Sequence, residues 1–214
     1  MGIHHFFGSL SDLELIVRCP GKFKYQPHNV AAHSFKVAQI AQFLGVVEEQ
    51  SGQTIDWRSL YEKSLNHDYS ELFIGDIKTP VKYASIELRE MLSDVEHSMT
   101  QNFISKEIPE RFQADFARFF KEGKDETLEG QILAVADKVD LLYESYAEIQ
   151  QGNSEPLFFE IYAEALETII KYRHLASVTY FIEEILPDVL KQNDASASHL
   201  ATTTQALLKE ATRK

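Results

Sequence analysis

His33, the adjacent pair His67-Asp68, and Asp137 carry side chains that hold divalent ions. An imidazole next to a carboxylate offers two ligands that a hard-to-borderline metal accepts. A His-Asp dipeptide alone arises often by chance. His33 upstream and Asp137 downstream extend it to a spaced series, His…His-Asp…Asp. Two imidazoles and two carboxylates on an octahedral ion leave positions open for water and substrate, which suits phosphate-ester hydrolysis. The separations are long, so spacing alone also allows four unrelated residues.

Other residues could complete such a site. Glu71 follows His67 by one helical turn and could face the same cavity, where a carboxylate near a metal orients or deprotonates water. A solvated acid at a helix end is the plainer alternative. Arg18 offers a guanidinium fork for a phosphate, or caps the carbonyls at the end of a first helix. Asp76 could accept a hydrogen bond from a sugar hydroxyl, though loop acids commonly cap turns. Thr79 and Lys82 are near enough in sequence to line the same mouth. The phenylalanines of 112–120 have helical spacing and read as core, and Lys121–Glu129 reads as a solvated charged turn.

Composition narrows the function classes. The 214 residues can form one domain with a sizeable core, and 44% hydrophobic content is that of a globular protein. A net charge of −12 disfavours a general electrostatic grip on nucleic acid polymers or anionic membranes. A small anionic substrate is still permitted, because a metal makes a local positive site. Cys19 is the one cysteine, which rules out an internal disulfide and a thiolate cluster. No run approaches the roughly 18 continuous apolar residues of a membrane span. The expectation is a soluble cytoplasmic protein.

The elements that would position these side chains are helical almost throughout, so the fold class is all-α, a single helical bundle. Ser9 can cap a first helix carrying Leu10, Leu13, Ile16 and Val17 that stops before Pro20-Gly21. Asn29 can cap the next, whose stripe of His33, Val37, Ile40/Ala41 and Leu44 turns His33 inward. A third begins near Asp56 and brings His67 and Asp68 to one helix end, about 100° apart. After a loop at 75–80, a long helix over 85–103 shows the stripe Leu88, Leu92, Val95 and Met99. Pro109 opens another. The helix from Thr127 to about Gln150 carries Asp137 beside its apolar stripe. Two more follow, 156–172 and 176–191, the latter interrupted by Pro187. Residues 1–190 read as the domain, and 191–214 as a tail that is mobile or marginally helical.

Several runs are more selective than the metal series. They are His5-Phe6-Phe7, Leu15-Ile16-Val17-Arg18-Cys19-Pro20, Asn29-Val30-Ala31-Ala32-His33-Ser34, His67-Asp68-Tyr69-Ser70-Glu71, Gly75-Asp76-Ile77-Lys78-Thr79-Pro80-Val81-Lys82-Tyr83 and Ala136-Asp137-Lys138. In these the chain resembles the HD-domain metal-dependent phosphohydrolases, and within them the bacterial 5′-deoxynucleotidase branch, the YfbR-like proteins. The resemblance covers roughly 3–155 and continues to about 190.

The resemblance implies a single HD-domain helical bundle and one divalent transition metal ion (Co, Mn, Zn, Ni, Fe or Cu) on His33, His67, Asp68 and Asp137. It makes Glu71 the catalytic carboxylate. Arg18 would hold the 5′-phosphate, Asp76 would contact the sugar 3′-hydroxyl, and Cys19 and Thr79 would line the substrate position. The reaction would convert nucleoside 5′-monophosphates to nucleoside and phosphate, in a homodimer. Two residues depart from the family. Cys19 stands where a tryptophan crowds the ribose 2′-hydroxyl, so relaxed sugar selectivity is expected. Ala32 replaces an acidic residue often found before the metal histidine, which bears on how His33 is oriented. Three alternatives stay open: an HD phosphodiesterase, a phosphatase for another metabolite, and a non-catalytic nucleotide-binding regulator.

Overall fold

The computed structural model describes residues 2–77, 79–82, 84–121, 123–191 and 195–211; the side chains of Thr79, Pro80 and 195–199 lie outside the description. The all-α expectation holds. Among the described residues the extended backbone is limited to one isolated antiparallel bridge between Val17 and Asn29. The chain forms two compact units.

The first unit comprises Met1–Lys22, Pro27–Phe35 and Glu62–Gly123. Helix α1 spans Ile3–Asp12 and tightens into a 3₁₀ turn over Leu13–Leu15, so the first helix starts earlier and ends sooner than its sequence stripe suggests. Ser9 lies inside it, with its hydroxyl bonded to the Phe6 carbonyl and the Tyr69 hydroxyl, and does not cap it. The chain then runs extended through Ile16–Arg18, where Val30 N–H donates to Ile16 O and Arg18 N–H donates to His28 O. Helix α2, Val30–Gln50, begins in this unit and continues in the second. Its first turn is capped as expected, Ala32 N–H donating to the Asn29 side chain at 2.8 Å.

Helix α3, Trp57–Asn66, ends one residue before the His-Asp pair, and one-turn helices α4 (Glu71–Ile74) and α5 (Thr79–Lys82) follow. Helices α6 (Ile86–Glu107) and α7 (Glu110–Phe119) complete the unit. Its core is aromatic. Tyr69 stacks on Phe120 with centroids 4.1 Å apart, and Phe6, Phe73 and Phe103 close around the same ring. Phe120, half-buried, packs on this cluster and half-buried Phe116 sets its ring against Phe6, so the expected core is only partly formed here; Phe112 is 39% exposed under the Arg111 guanidinium.

The second unit comprises Phe23–Gln26, Lys36–Tyr61 and Lys124–Lys214. Its centre is α8, Leu128–Gln150, whose N-terminus is closed by Thr127 accepting from Gly130 N–H. Ile132, Leu133, Val135, Ala136 and Leu142 are fully buried, packed with Val37, Ala41 and Leu44 of α2 and with Phe158, Tyr162, Ala165, Leu166 and Ile169 of α9, Pro156–Lys171. Helix α2 is long and apolar enough to cross a membrane by length and composition, yet this packing marks it as a core helix.

One face of α8 carries buried carboxylates, and each meets a partner, as burial of charge requires. Asp140 pairs with Lys36 at 2.8 Å, and Glu144 faces Lys24 at 3.8 Å. Glu148 accepts from the backbone N–H groups of Tyr25 and Gln26, both at 2.9 Å, and from Asn153. This clamp holds the short 23–26 segment against the unit.

The last helical stretch opens as α10, Ala176–Tyr180, widens into a π turn at Phe181–Ile185 and resumes as α11, Leu186–Leu190. The interruption expected at Pro187 thus falls in the turn before it, where the missing N–H and the ring's clash with the carbonyl four residues back must be absorbed. The C-terminal tail, expected to be mobile or marginally helical, forms α12, Ala195–Ala211. Leu200 and Thr204 are buried, and the Thr204 hydroxyl meets the Tyr162 hydroxyl at 3.0 Å. The Ala/Ser/Thr-rich composition hides these few inward contacts.

Candidate metal and catalytic site

His33 sits one turn into α2, its backbone N–H on the Asn29 carbonyl and its side chain fully enclosed. His67 and Asp68 occupy the turn that leaves α3, which Tyr69 closes by donating to the Asn66 carbonyl. The aromatic core around Tyr69 fixes this turn from behind. Burial pushes the Tyr69 phenol up to about 12, so it stays neutral and serves as packing.

The histidine Nε2 atoms lie 3.2 Å apart, and each is 3.3 Å from Asp68 Oδ2. The His67 Nδ1–H group can donate to the Ser64 carbonyl 2.9 Å away, which leaves Nε2 as a lone pair pointing at the cluster. Two imidazole nitrogens and a carboxylate oxygen converging this closely repel one another unless a positive charge answers them. All three donor atoms lie within 4.8 Å of one another, and the set suits a borderline divalent ion. The residues present fit a metal.

Asp68 Oδ2 also faces Arg18 Nη1 at 3.4 Å. Arg18 is buried and leaves the extended Val17–Asn29 bridge, so it does not cap the end of the first helix. Next to it, Cys19 takes a left-handed backbone at φ 50°. A non-glycine residue there is held by its surroundings, and the hold is visible: Cys19 N–H donates to Asp76 Oδ2 at 2.8 Å. Asp76 therefore shapes the Arg18-Cys19 turn, a role that loop position alone did not reveal.

Glu71 opens α4, and Gly75, at φ 72°, ends that helix in a conformation suited to glycine. Glu71 Oε2 is buried with no hydrogen-bond partner among the described residues. Burial first, then the negative charges of Asp68 and Asp76, raise its carboxyl from 4.5 to about 8, against the opposing pull of Arg18 and His33. A buried carboxyl with one idle oxygen beside the donor cluster is poised for proton transfer. The solvated-acid alternative does not describe it.

Asp137 lies in the second unit, on the buried face of α8. Its Oδ2 accepts from Lys124 at 3.0 Å and meets Lys138 at 3.2 Å. Lys124 falls in the stretch read from sequence as a solvated turn; the structure ties it to a buried carboxylate instead. Only the Asp137-Lys138 adjacency carried any sequence signal for this cluster. Thr79 belongs to α5 by its backbone, and its side chain lies outside the described residues. The unit 1 geometry thus gathers His33, His67, Asp68, Glu71, Arg18, Cys19 and Asp76.

Comparison with known proteins adds to this geometry. The family model described as YfbR-like, 5′-deoxynucleotidase, matches residues 5–189. A 5′-deoxynucleotidase of Pasteurella multocida is 30% identical over 195 residues, spanning 91% of this chain and 98% of its own. One from Vibrio parahaemolyticus is 30% identical over 184 residues, spanning 86% and 93%. The crystal structure of an HD-domain phosphohydrolase from Listeria innocua superposes with a TM-score of 0.92 at 64% identity, covering 98% of this chain and 100% of that one.

Proposed function

The chain belongs to the YfbR-like family of 5′-deoxynucleotidases, and from that premise we propose that it hydrolyses nucleoside 5′-monophosphates to nucleoside and phosphate. It is a metal-dependent HD-domain phosphohydrolase by family. The observation that carries the proposal is the convergence of His33, His67 and Asp68 with the buried Glu71 carboxyl in the same unit.

His33, His67 and Asp68, with Asp137 as the fourth member of the motif, would hold one divalent transition metal ion: Co, Mn, Zn, Ni, Fe or Cu. When bound, such an ion neutralises phosphate charge and acidifies water. With a nearby divalent cation favouring its ionised form, Glu71 would take the proton of the attacking water, which its idle, buried oxygen suits. Arg18 holds the phosphate and balances the charge that develops on it. Asp76 keeps Cys19 and Arg18 in place through the Cys19 N–H group, and its carboxylate meets the sugar 3′-hydroxyl. The enzyme works in the cytoplasm as a homodimer.

Cys19 makes the sugar preference relaxed. Its thiol is much smaller than the indole that excludes a 2′-hydroxyl elsewhere in the family. Steady-state hydrolysis of dAMP and AMP with added manganese or cobalt is the test, the two kcat/KM values agreeing to within about ten-fold. Cys19→Trp should then widen the deoxy preference. A large deoxy preference in the natural chain would overturn the relaxed-sugar reading. Absence of phosphate release from any mononucleotide, with the nucleotide bound and intact, would overturn the enzymatic one.

A further inference from the structure

Ser70 stands between Asp68 of the donor cluster and Glu71, at the position that opens α4. A serine there ordinarily has an extended backbone and accepts from an N–H of the turn that follows. Ser70 does neither. Its backbone is already helical, at φ −64° and ψ −19°, and its side chain makes no capping bond. The hydroxyl, on a buried residue, donates instead to Glu96 Oε1 of α6. The short helix that carries Glu71 thus gives up its cap for an anchor on a neighbouring helix.

We propose that Glu96 is a positioning residue for catalysis: through Ser70 it fixes where Glu71 presents its buried carboxyl. The proposal rests on the reading of Glu71 as the proton acceptor. One side of α6 grips this turn at two points, both within the first unit. Phe103, two helical turns beyond Glu96, sets its ring 6.0 Å from Tyr69 and 5.4 Å from Phe73. Between them Thr100 is buried, its hydroxyl on the Glu96 carbonyl at 2.8 Å. Ring contacts of this kind set depth but tolerate sliding, whereas a hydroxyl donated to a carboxylate is directional and among the stronger hydrogen bonds. Ser70 is joined to Glu71 by a peptide bond, so locking Ser70 sets the direction in which Glu71 leaves the turn. A general base must come within about 2.6–3.2 Å of the proton it takes, and a misplacement of about 1 Å costs up to about 10²-fold.

Steady-state dAMP hydrolysis with added Mn²⁺, read as separate kcat and KM values, tests this together with Mn²⁺ titration of the metal-free proteins. Glu96→Ala and Ser70→Ala should each lower kcat by about ten-fold with KM within about two-fold, and the double variant should fall no further than the worse single one. Glu96→Gln keeps an oxygen acceptor and should recover kcat to within about three-fold of the natural chain. In a Glu71→Gln background, Glu96→Ala should cost nothing more. Mn²⁺ affinity should stay within about two-fold throughout, because Glu96 holds Ser70 rather than a donor side chain; loss of a residue that orients a ligand costs about 10- to 100-fold. A Glu96→Ala kcat within about two-fold of the natural chain, losses that multiply in the double variant, or Mn²⁺ affinity that falls with kcat overturns the proposal. Glu71→Gln separates the two layers. If it turns over like the natural chain, the reading of Glu71 has failed and takes the proposal with it; if it is impaired while Glu96→Ala is normal, the positioning role alone has failed.

Discussion

Glu71 shows what burial does to a single carboxyl. In the metal-free protein its pKa is raised from 4.5 to about 8 by burial and by Asp68 and Asp76. The folded chain then holds a proton that the unfolded chain releases, so this group withdraws stability as pH climbs from about 4.5 to about 8. Glu71→Gln removes that penalty. Thermal melts of the metal-free proteins should show the variant more stable at pH 8, on the order of a few kcal/mol, with the gap closing towards pH 5. A nearby divalent cation favours the ionised carboxylate, so adding metal should shrink the gap. Equal melts at pH 8 would remove the buried-acid description. Turnover should move the other way: Glu71→Gln keeps metal binding and loses about 10²- to 10⁴-fold in kcat, the usual contribution of a general base. His67→Ala and Asp68→Ala should lose both metal and activity, which metal analysis of the purified variants will separate.

Helices were legible to different depths, and α6 shows why. Its existence and its start follow from the sequence, while the Ser85 cap, accepting from Leu88 N–H at 3.1 Å, and the last turn to Glu107 emerge only in the structure. Its predicted stripe is covered only in its first half: Leu88 and Leu92 are half-buried, Val95 and Met99 are 44% and 39% exposed, and Thr100 and Ile104 are buried instead. Periodicity reports which residues share a face, not whether a neighbour covers it. Ile104→Ala should therefore destabilise by about 2–5 kcal/mol, and Val95→Ser by less than about 0.5 kcal/mol, in denaturant unfolding. The reverse order would restore the sequence stripe as the packed one. His33, by contrast, was legible because its stripe and its cap agreed: Val37, Ala41 and Leu44 are buried, and Asn29 closes the turn. The His-Asp turn was legible as ligands but not as geometry. Its placement depends on Tyr69 in an aromatic cluster drawn from Phe6, Phe73, Phe103 and Phe120, and pairing between distant segments leaves no periodic trace. The same holds for Asp76 and Cys19, 57 positions apart yet joined by a hydrogen bond.

At the scale of the molecule, charge selects among phosphate-bearing partners. The chain carries 21 basic and 33 acidic residues, a net −12. A polyanion must bring many phosphates near that surface at once, and its binding draws on a continuous basic track. A mononucleotide brings one phosphate to one place, where Arg18 beside Asp68 supplies local positive charge and a divalent ion would supply more. Three of these basic residues answer buried carboxylates of α8, namely Lys24, Lys36 and Lys124. Fluorescence anisotropy with a labelled single-stranded oligonucleotide should thus show no binding tighter than about 10⁻⁴ M at physiological salt, the weak end of non-specific affinity. Under the same conditions mononucleotide hydrolysis should proceed uninhibited by unlabelled polymer. Saturable oligonucleotide binding that weakens steeply with salt would mean that a basic track exists despite the net charge, and would move the substrate class from mononucleotides towards polynucleotide ends.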